Sequence, residues 1–349
     1  MRRASRSILR LMVAMSLVVV ALPSRISVSA AEPYKLGPTF HVGGEGRFDY
    51  ITVDPEHKLL YVPRTTHTMV INAIDGKTVA DIPGQTGNHG VAIVSGAGRG
   101  FITDGRDGSV TIFDTKTNAA LGKLKIAEDA DAIFFDSGCG KVLVACGDAG
   151  VLVPISPDVD PKTGKAEAPV QLGGKPESFA TDGKGKAYVA LEDKDQVAVV
   201  DTKAMKVLAK WPVSPGGAPV GMALDREAGR LYVGCRNPQK LVVMSTENGK
   251  VLADLPIGAG CDSARFDNGY AFASCRDGTL AVAKEASPGK FEIVQTVTTR
   301  PGAKTVDVDP TTHKLYLPTA EFETAAAGQR RPNLKPDSFM IVVVEPSGG

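Results

Sequence analysis

The chain has 349 residues, and its 40 lysines and arginines against 39 aspartates and glutamates give a formal net charge of +1. No long block of a single sign interrupts this balance, so a dedicated nucleic-acid surface gets little support. None of the five cysteines belongs to a Cys-x-x-Cys-His segment, which excludes covalent c-type haem at the level of motif.

Residues 1–30 have the features of a secretory signal peptide. A basic start is followed by an apolar run from Leu11 to Leu22 and by small residues before Ala31, and we expect cleavage after Ala30 or Ala31. The apolar run falls short of the ~20 residues needed to span a bilayer. The sequence therefore predicts a periplasmic or extracellular protein with no transmembrane segment after cleavage.

Seven times along the rest of the chain, a short apolar strand runs into a turn opened by Asp or Ser. These landmark residues lie 41 to 46 positions apart, at Asp54, Ser95, Asp136, Asp182, Asp225, Asp267 and Asp309. A fixed period in this range is typical of β-propellers, whose blades are four-stranded sheets. The sequence predicts one all-β domain over residues 31–349, a seven-bladed β-propeller, and we expect it to be a monomer.

The two ends of this domain are expected to pair. The seventh repeat finishes with Met340 to Val344 and has no outer strand behind it, whereas Tyr34 to Val42 precedes the first inner strand without a blade of its own. Pairing the two segments closes the ring and removes exposed sheet edges.

Strand direction assigns every loop to one face of the ring. The start of each inner strand and the turn between the second and third strands share one face, which we call the mouth face. Five residues before each landmark stand Asp49, Gly90, Asp131, Glu177, Val220, Asp262 and Lys304. Four acids and a lysine in seven equivalent places predict a polar site at the mouth of the central channel.

With residues of the neighbouring turns, the candidate ligand-binding set is Asp49, His67, His89, Arg106, Asp131, Glu177, Arg236, Asp262, Arg276, Lys304 and Glu321. Two interpretations remain open. The acids hold a polar ligand or a divalent cation, with His89 or His67 as proton carrier. Alternatively, they are structural and accept hydrogen bonds from backbone N–H groups between blades.

Two further features of the mouth face also have two interpretations each. Cys146, Cys235, Cys261 and Cys275 are predicted there, and either Cys261 pairs with Cys275 or Cys235 in an oxidising compartment or the thiols are small core groups. The segment from Glu321 to Asp337 interrupts blade seven, either as a flexible bulge or as a loop over the channel mouth.

Several segments carry a resemblance to a known family. They include Phe48-Asp49-Tyr50, Leu60-Tyr61-Val62, Gly174-Lys175-Pro176-Glu177 and His313-Lys314-Leu315-Tyr316-Leu317. From about Phe40 to Val344 the chain resembles the YncE-type, YVTN-repeat β-propellers of secreted bacterial proteins. The resemblance implies a seven-bladed periplasmic protein, and a binding or surface-interaction module. Some relatives are associated with nucleic acid, a function that the balanced charge of this chain does not favour.

Two hypotheses about function follow. The first is a non-enzymatic module that binds an unidentified small molecule or protein through the mouth face. The alternative is a metal-assisted, lactonase-like hydrolase, in which channel carboxylates hold a divalent cation and His89 is the base. Three carboxyl oxygens converging within coordination distance would favour the hydrolase, and carboxylates spread around a wide, wet channel would favour the binding module.

Overall fold

The computed structural model describes residues 32–325 and 331–348. The predicted signal peptide and its cleavage site lie outside the described residues. No helix in the described ranges is long and apolar enough to cross a membrane. Regular structure there consists of β-strands and a few single 3-10 turns.

The strands form seven four-stranded antiparallel sheets, and these are the blades of the predicted propeller. Blades one and two contain β2 (Thr52–Asp54), β3 (Leu59–Pro63), β4 (His67–Asn72) and β5 (Thr78–Pro83), then β6 (Asn88–Val94), β7 (Arg99–Asp104), β8 (Ser109–Asp114) and β9 (Ala120–Lys125). Blades three and four contain β10 (Ala130–Asp136), β11 (Lys141–Cys146), β12 (Val151–Ile155) and β13 (Val170–Gln171), then β14 (Pro176–Thr181), β15 (Lys186–Leu191), β16 (Gln196–Asp201) and β17 (Lys206–Pro212).

Blades five and six contain β18 (Pro219–Asp225), β19 (Arg230–Arg236), β20 (Gln239–Ser245) and β21 (Val251–Pro256), then β22 (Cys261–Asp267), β23 (Tyr270–Cys275), β24 (Thr279–Ser287) and β25 (Lys290–Thr298). Blade seven contains β26 (Asp307–Val308), β27 (Leu315–Thr319), β28 (Met340–Pro346) and, as its outer strand, β1 (Tyr34–His41). The seven-bladed all-β architecture is confirmed.

The predicted ring closure is also confirmed. Strand β1 pairs antiparallel with β28, from Tyr34 opposite Pro346 to His41 opposite Met340, with one irregularity after Leu36. The first strand of the domain therefore completes the last blade. As a result, blade one lies directly beside blade seven.

The recurring aspartates stabilise the turns that they open. The Asp182 carboxylate accepts hydrogen bonds from the backbone N–H groups of Lys184, Gly185 and Lys186, at 2.8 to 3.0 Å. Asp54 and Asp225 each accept two such bonds in their own turns. A short acidic side chain is favoured here because its carboxylate accepts hydrogen bonds from backbone N–H groups that have no backbone partner in a tight turn.

The hydrophobic core consists of seven apolar clusters, each between two adjacent blades. Most inner and middle strands are buried on both faces, which explains the nearly continuous apolar runs of the sequence. Second-strand tyrosines extend these contacts. Tyr316 of blade seven donates its hydroxyl proton to the Ala73 carbonyl of blade one, at 3.2 Å.

All five cysteines are free thiols in the structure, and four of them are buried. Cys261 and Cys275 are direct cross-strand partners between β22 and β23. Their contact and burial raise the pKa of the Cys261 thiol well above its ordinary value. The arrangement agrees with the interpretation of small core thiols.

One buried arginine holds the segment that leads into blade one. Arg64 is fully buried, and its guanidinium donates to the carbonyls of Gly43, Gly44 and Gly46 at 3.0 to 3.3 Å. The guanidinium also lies 3.8 Å from the ring centroid of Phe339. This anchoring fixes the chain just before the first residues of the mouth face.

Candidate functional site

A cavity of about 540 Å³ opens on the mouth face, lined by residues of blades one, two, six and seven. Its partly buried polar residues are Asp49, His89 and Lys304, whose side chains are 17% to 31% exposed. Phe48, Phe322 and Leu334 supply apolar surface, and Arg47, Arg106, Arg276 and Arg331 supply positive charge. The cavity is therefore both apolar and cationic.

The described part of the blade-seven insertion lies over this cavity. Phe322 and Leu334 pair in an isolated β-bridge, and the Pro332 carbonyl accepts a hydrogen bond from the Arg47 guanidinium at 2.9 Å. Phe322 packs so closely on Gly302 that a Cβ there would lie 2.4 Å from the ring. Of the two sequence interpretations, the structure shows the loop over the channel mouth.

Lys304 connects the two ends of the ring at the channel mouth. Its ammonium donates to Asp49 Oδ1 at 3.0 Å and also to Asp262 Oδ2. Burial disfavours both charged carboxylates, but it is outweighed by Lys304 together with His89 at Asp49 and by Lys304 together with Arg236 at Asp262, so the pKa of both carboxyl groups is lowered. Burial likewise disfavours the ammonium, yet the charges of Asp262 and Asp49 raise the pKa of Lys304.

His89 extends the network from blade one toward blade three. Its Nδ1 atom lies 2.8 Å from Asp49 Oδ2 and 3.6 Å from Asp131 Oδ1. Burial opposes the imidazolium, but the charge of Asp131 and the hydrogen bond with Asp49 outweigh it and raise the pKa of His89 to about 9. Burial, with a contribution from the Asp49 charge, also raises the pKa of Asp131.

Arg236 extends the network on the other side. It donates to Asp262 and to Glu192 Oε1, the latter at 2.7 Å. Glu177 lies beside Glu192, and a hydrogen bond joins their carboxyl groups. Burial, this hydrogen bond and the charge of Asp131 raise the pKa of Glu177. Glu177 thus keeps its proton at neutral pH and serves as the donor in that hydrogen bond.

Tyr50 fills part of the central channel and was not among the residues predicted from the sequence. It starts in blade one but packs against the apolar cluster between blades three and four. Burial, with the charges of Asp131, Asp262, Asp49 and Glu177, raises the pKa of its hydroxyl well above the ordinary value. The equivalent positions in the other six repeats hold Val91, Ala132, Ser178, Gly221, Ser263 and Thr305. Tyr50 is the one large side chain at this position of the repeat, and this difference in size was the sequence signal that could have identified it.

The structure brings most of the predicted candidates together and leaves two apart. The joined set is Asp49, His89, Arg106, Asp131, Glu177, Arg236, Asp262, Arg276 and Lys304. His67 instead lies beside Asp81 of the outer strand β5, with 3.8 Å between His67 Nε2 and Asp81 Oδ1. Glu321 pairs with Lys335 at 3.0 Å within the blade-seven insertion. Neither residue lines the cavity.

The four mouth-face acids differ in their partners. Asp49 and Asp262 contact side-chain cations from other blades, whereas Asp131 Oδ1 has no hydrogen-bond partner and Glu177 lies beside Glu192. Sequence reasoning also missed Arg47, Phe322, Arg331 and Leu334 of the cavity wall. Their loops have no equivalents in the other repeats, so no periodic signal was available for them.

Asp49, His89 and Asp131 form a group whose ligand atoms lie within 4.8 Å of one another. Asp131 Oδ1 is buried and has no hydrogen-bond partner, which would suit a cation. The rest of the site does not suit one, because Lys304 already places a positive charge against Asp49 and a protonated His89 has no lone pair to offer. Among the described residues the carboxylates that converge there are those of Asp49 and Asp131, whereas three or more carboxyl oxygens on one point would favour the hydrolase hypothesis.

Many solved structures share this fold, since 1606 chains match. One belongs to the structure described as Kuenenia stuttgartiensis Hydrazine Synthase, with a TM-score of 0.67 over 77% of this chain and 91% of that chain. The sequence identity is 13%, so the similarity shows the propeller fold alone. No protein-family model and no curated protein matches the sequence.

Replacing Lys304 tests whether the network is structural. Lys304→Met keeps the apolar stem but leaves Asp49 and Asp262 without their shared cation. Removing one partner of a buried ion pair costs about 3 to 5 kcal/mol, and we expect a loss of that size in urea unfolding. Lys194→Met is the control, because the Lys194–Asp193 pair is largely exposed and is worth less than about 1 kcal/mol. Equal losses in the two variants would contradict the assignment.

The proton on Glu177 predicts a pH dependence. A carboxyl whose pKa rises on folding binds its proton more tightly in the folded state, so stability falls as pH rises above the ordinary value of 4.5. Glu177→Gln mimics the protonated form, and we expect about 1 to 3 kcal/mol more stability at pH 8 with a flatter pH profile. Exposed Glu247 gives the control variant Glu247→Gln, which should match wild type at each pH. A loss of stability in Glu177→Gln at pH 8 would mean that Glu177 is ionised.

Proposed function

We propose that this propeller is a binding module that takes a small molecule in the cavity of the mouth face. The observation that carries the proposal is the cavity itself, a concave site of about 540 Å³ beneath the blade-seven insertion. Sites for small molecules occupy about 300 to 1,000 Å³ and combine apolar walls with a few fixed polar groups. Phe48, Phe322 and Leu334 provide such walls beside Asp49 and Lys304.

The state of the polar residues supports binding over catalysis. A general base needs a free lone pair near the reacting proton. Asp49 has both carboxylate oxygens engaged, one by Lys304 and the other by His89, and Asp262 is engaged by Lys304 and Arg236. These acids are suited to holding the mouth in shape.

A metal-assisted hydrolase remains the second candidate, favoured by the grouping of Asp49, His89 and Asp131 and by the unpartnered Asp131 oxygen. Calcium, manganese and zinc at millimolar concentration would then raise the melting temperature of wild type but not of Asp131→Asn. Asp107→Asn is a control from the same face. Because Lys304 and His89 already neutralise Asp49, we expect no metal-dependent shift in any of the three proteins.

Membership of the YncE-type, YVTN-repeat group and a periplasmic or extracellular location are part of the same proposal. The repeated Asp turns and second-strand tyrosines support the first, and the leader-like residues 1–30 support the second. Intact-mass measurement of the exported protein tests the location. A mass that includes Met1 would contradict it.

Blocking the cavity tests the proposed function directly. Leu334 lines the cavity, so the larger side chain of Leu334→Trp should fill part of it. Leu208 lies on β17, outside the cavity, and is 48% exposed. Leu208→Trp is therefore the matched control. A screen of small metabolite-like molecules first identifies compounds that raise the melting temperature of wild type. We expect these compounds to lose most of their effect on Leu334→Trp and to keep it on Leu208→Trp. Hits that stabilise both variants equally would place binding elsewhere and contradict the proposal.

A further inference from the structure

Three guanidinium groups at the cavity lack a carboxylate partner within the described ranges. Arg47, Arg106 and Arg331 are exposed and line the cavity. Arg47 donates to a backbone carbonyl, and the ion pairs of the described residues include none of the three. Arg276, the fourth, lies 3.7 Å from Asp262 and is 46% exposed. The cavity wall thus carries guanidinium groups that form few ion pairs within the described residues, although Arg106 also borders a neighbouring cavity with Asp107, Glu128 and Asp129.

The acid inside the cavity does not offset this charge. Lys304 engages Asp49 Oδ1 at 3.0 Å, and His89 Nδ1 lies 2.8 Å from Oδ2. A ligand ammonium would therefore find no free acceptor on Asp49. The second nitrogen of His89, Nε2, makes no hydrogen bond within the described residues. Nε2 lies close to Gly105, since a Cβ built on that glycine would be 2.7 Å from it.

The apolar wall favours an organic occupant over a simple inorganic anion. Phe48 and Phe322 line the cavity together with Pro301, Pro332 and Leu334. Phe48 is held in place by Phe339, with 5.6 Å between ring centroids. A cavity of about 540 Å³ with this surface is large enough for a body of two fused rings.

We infer that the cavity selects an organic anion, in which a carboxylate or phosphate group is attached to a flat apolar body. This inference rests on the proposed small-molecule function and specifies its ligand class. The arginine guanidinium recognises both groups through paired N–H donors. In this arrangement the apolar body lies against Phe48 and Phe322, and the anionic group faces Arg106, Arg47 and Arg331.

Four probes of similar size test the inference on the full chain. 2-Naphthoate and 2-naphthyl phosphate carry the two anionic groups, and 2-naphthamide and 2-naphthol are their uncharged counterparts. Affinities are measured by ligand-observed NMR titration at low and at moderate ionic strength. We expect at least one anion to bind about tenfold more tightly than its neutral counterpart, and to weaken as salt screens the charge. The better of the two anions identifies the source of the negative charge.

Variants separate this inference from the proposed function. Removing a charge-assisted hydrogen bond weakens binding about tenfold. We therefore expect Arg106→Gln and Arg331→Gln each to weaken binding of the anionic probe by that factor. Arg226→Gln, an exposed change in a turn on the opposite face, should have no effect. Leu334→Trp should abolish binding of every probe.

Equal affinity for charged and neutral probes, with all binding lost in Leu334→Trp, would overturn the anion selectivity and keep the small-molecule site. Anion binding that neither Arg106→Gln nor Arg331→Gln weakens would also overturn the inference. Absence of binding by all four probes, or binding that Leu334→Trp leaves unchanged, would overturn both the inference and the proposed function.

Discussion

The ammonium of Lys304 between the carboxylates of Asp49 and Asp262 is the contact on which the channel mouth depends. Asp49 precedes the first blade and Lys304 precedes the last, so the two meet only after β1 has joined β28. Each charge is buried enough that loss of its partner would be costly. Ring closure and the charge network therefore support each other, because the strand pairing brings the charges together and the charges hold the seam between blades one and seven.

This network also determines which residues remain available for a ligand. Asp49 and Asp262 are occupied by Lys304, Arg236 and His89, whereas the arginines on the surrounding loops have few acidic partners. The strand starts recur in every blade and the loops differ from blade to blade, so the ion pairs and the arginines of the cavity wall come mostly from separate parts of the repeat. In the proposed binding module, specificity can then change through the loops without disturbing the ion pairs beneath them.

The sequence predicted the parts of this structure that repeat. The Asp turns, the seven blades and the pairing of β1 follow from local hydrogen bonding and from the need to cover sheet edges. It also placed Asp49 and Lys304 on one face. It did not predict their ion pair, because the distance between inner strands across a seam depends on the packing of whole blades. Phe322 and Arg331 lie in an insertion that follows no period, so their approach to Arg47 could not be inferred either.

The cavity lies on one side of a nearly symmetrical ring, and one residue explains much of this asymmetry. Six of the seven equivalent positions hold side chains no larger than valine, but Tyr50 reaches toward blades three and four and occupies the channel on that side. The protonated Glu177 and its partner Glu192 bring further bulk there without adding a second full negative charge. The cavity lies over blades one, two, six and seven, where Phe322, Arg331 and Leu334 of the blade-seven insertion line it. The mouth of a repeated backbone is thus asymmetric because one repeat departs from the others in side-chain size and another in loop length.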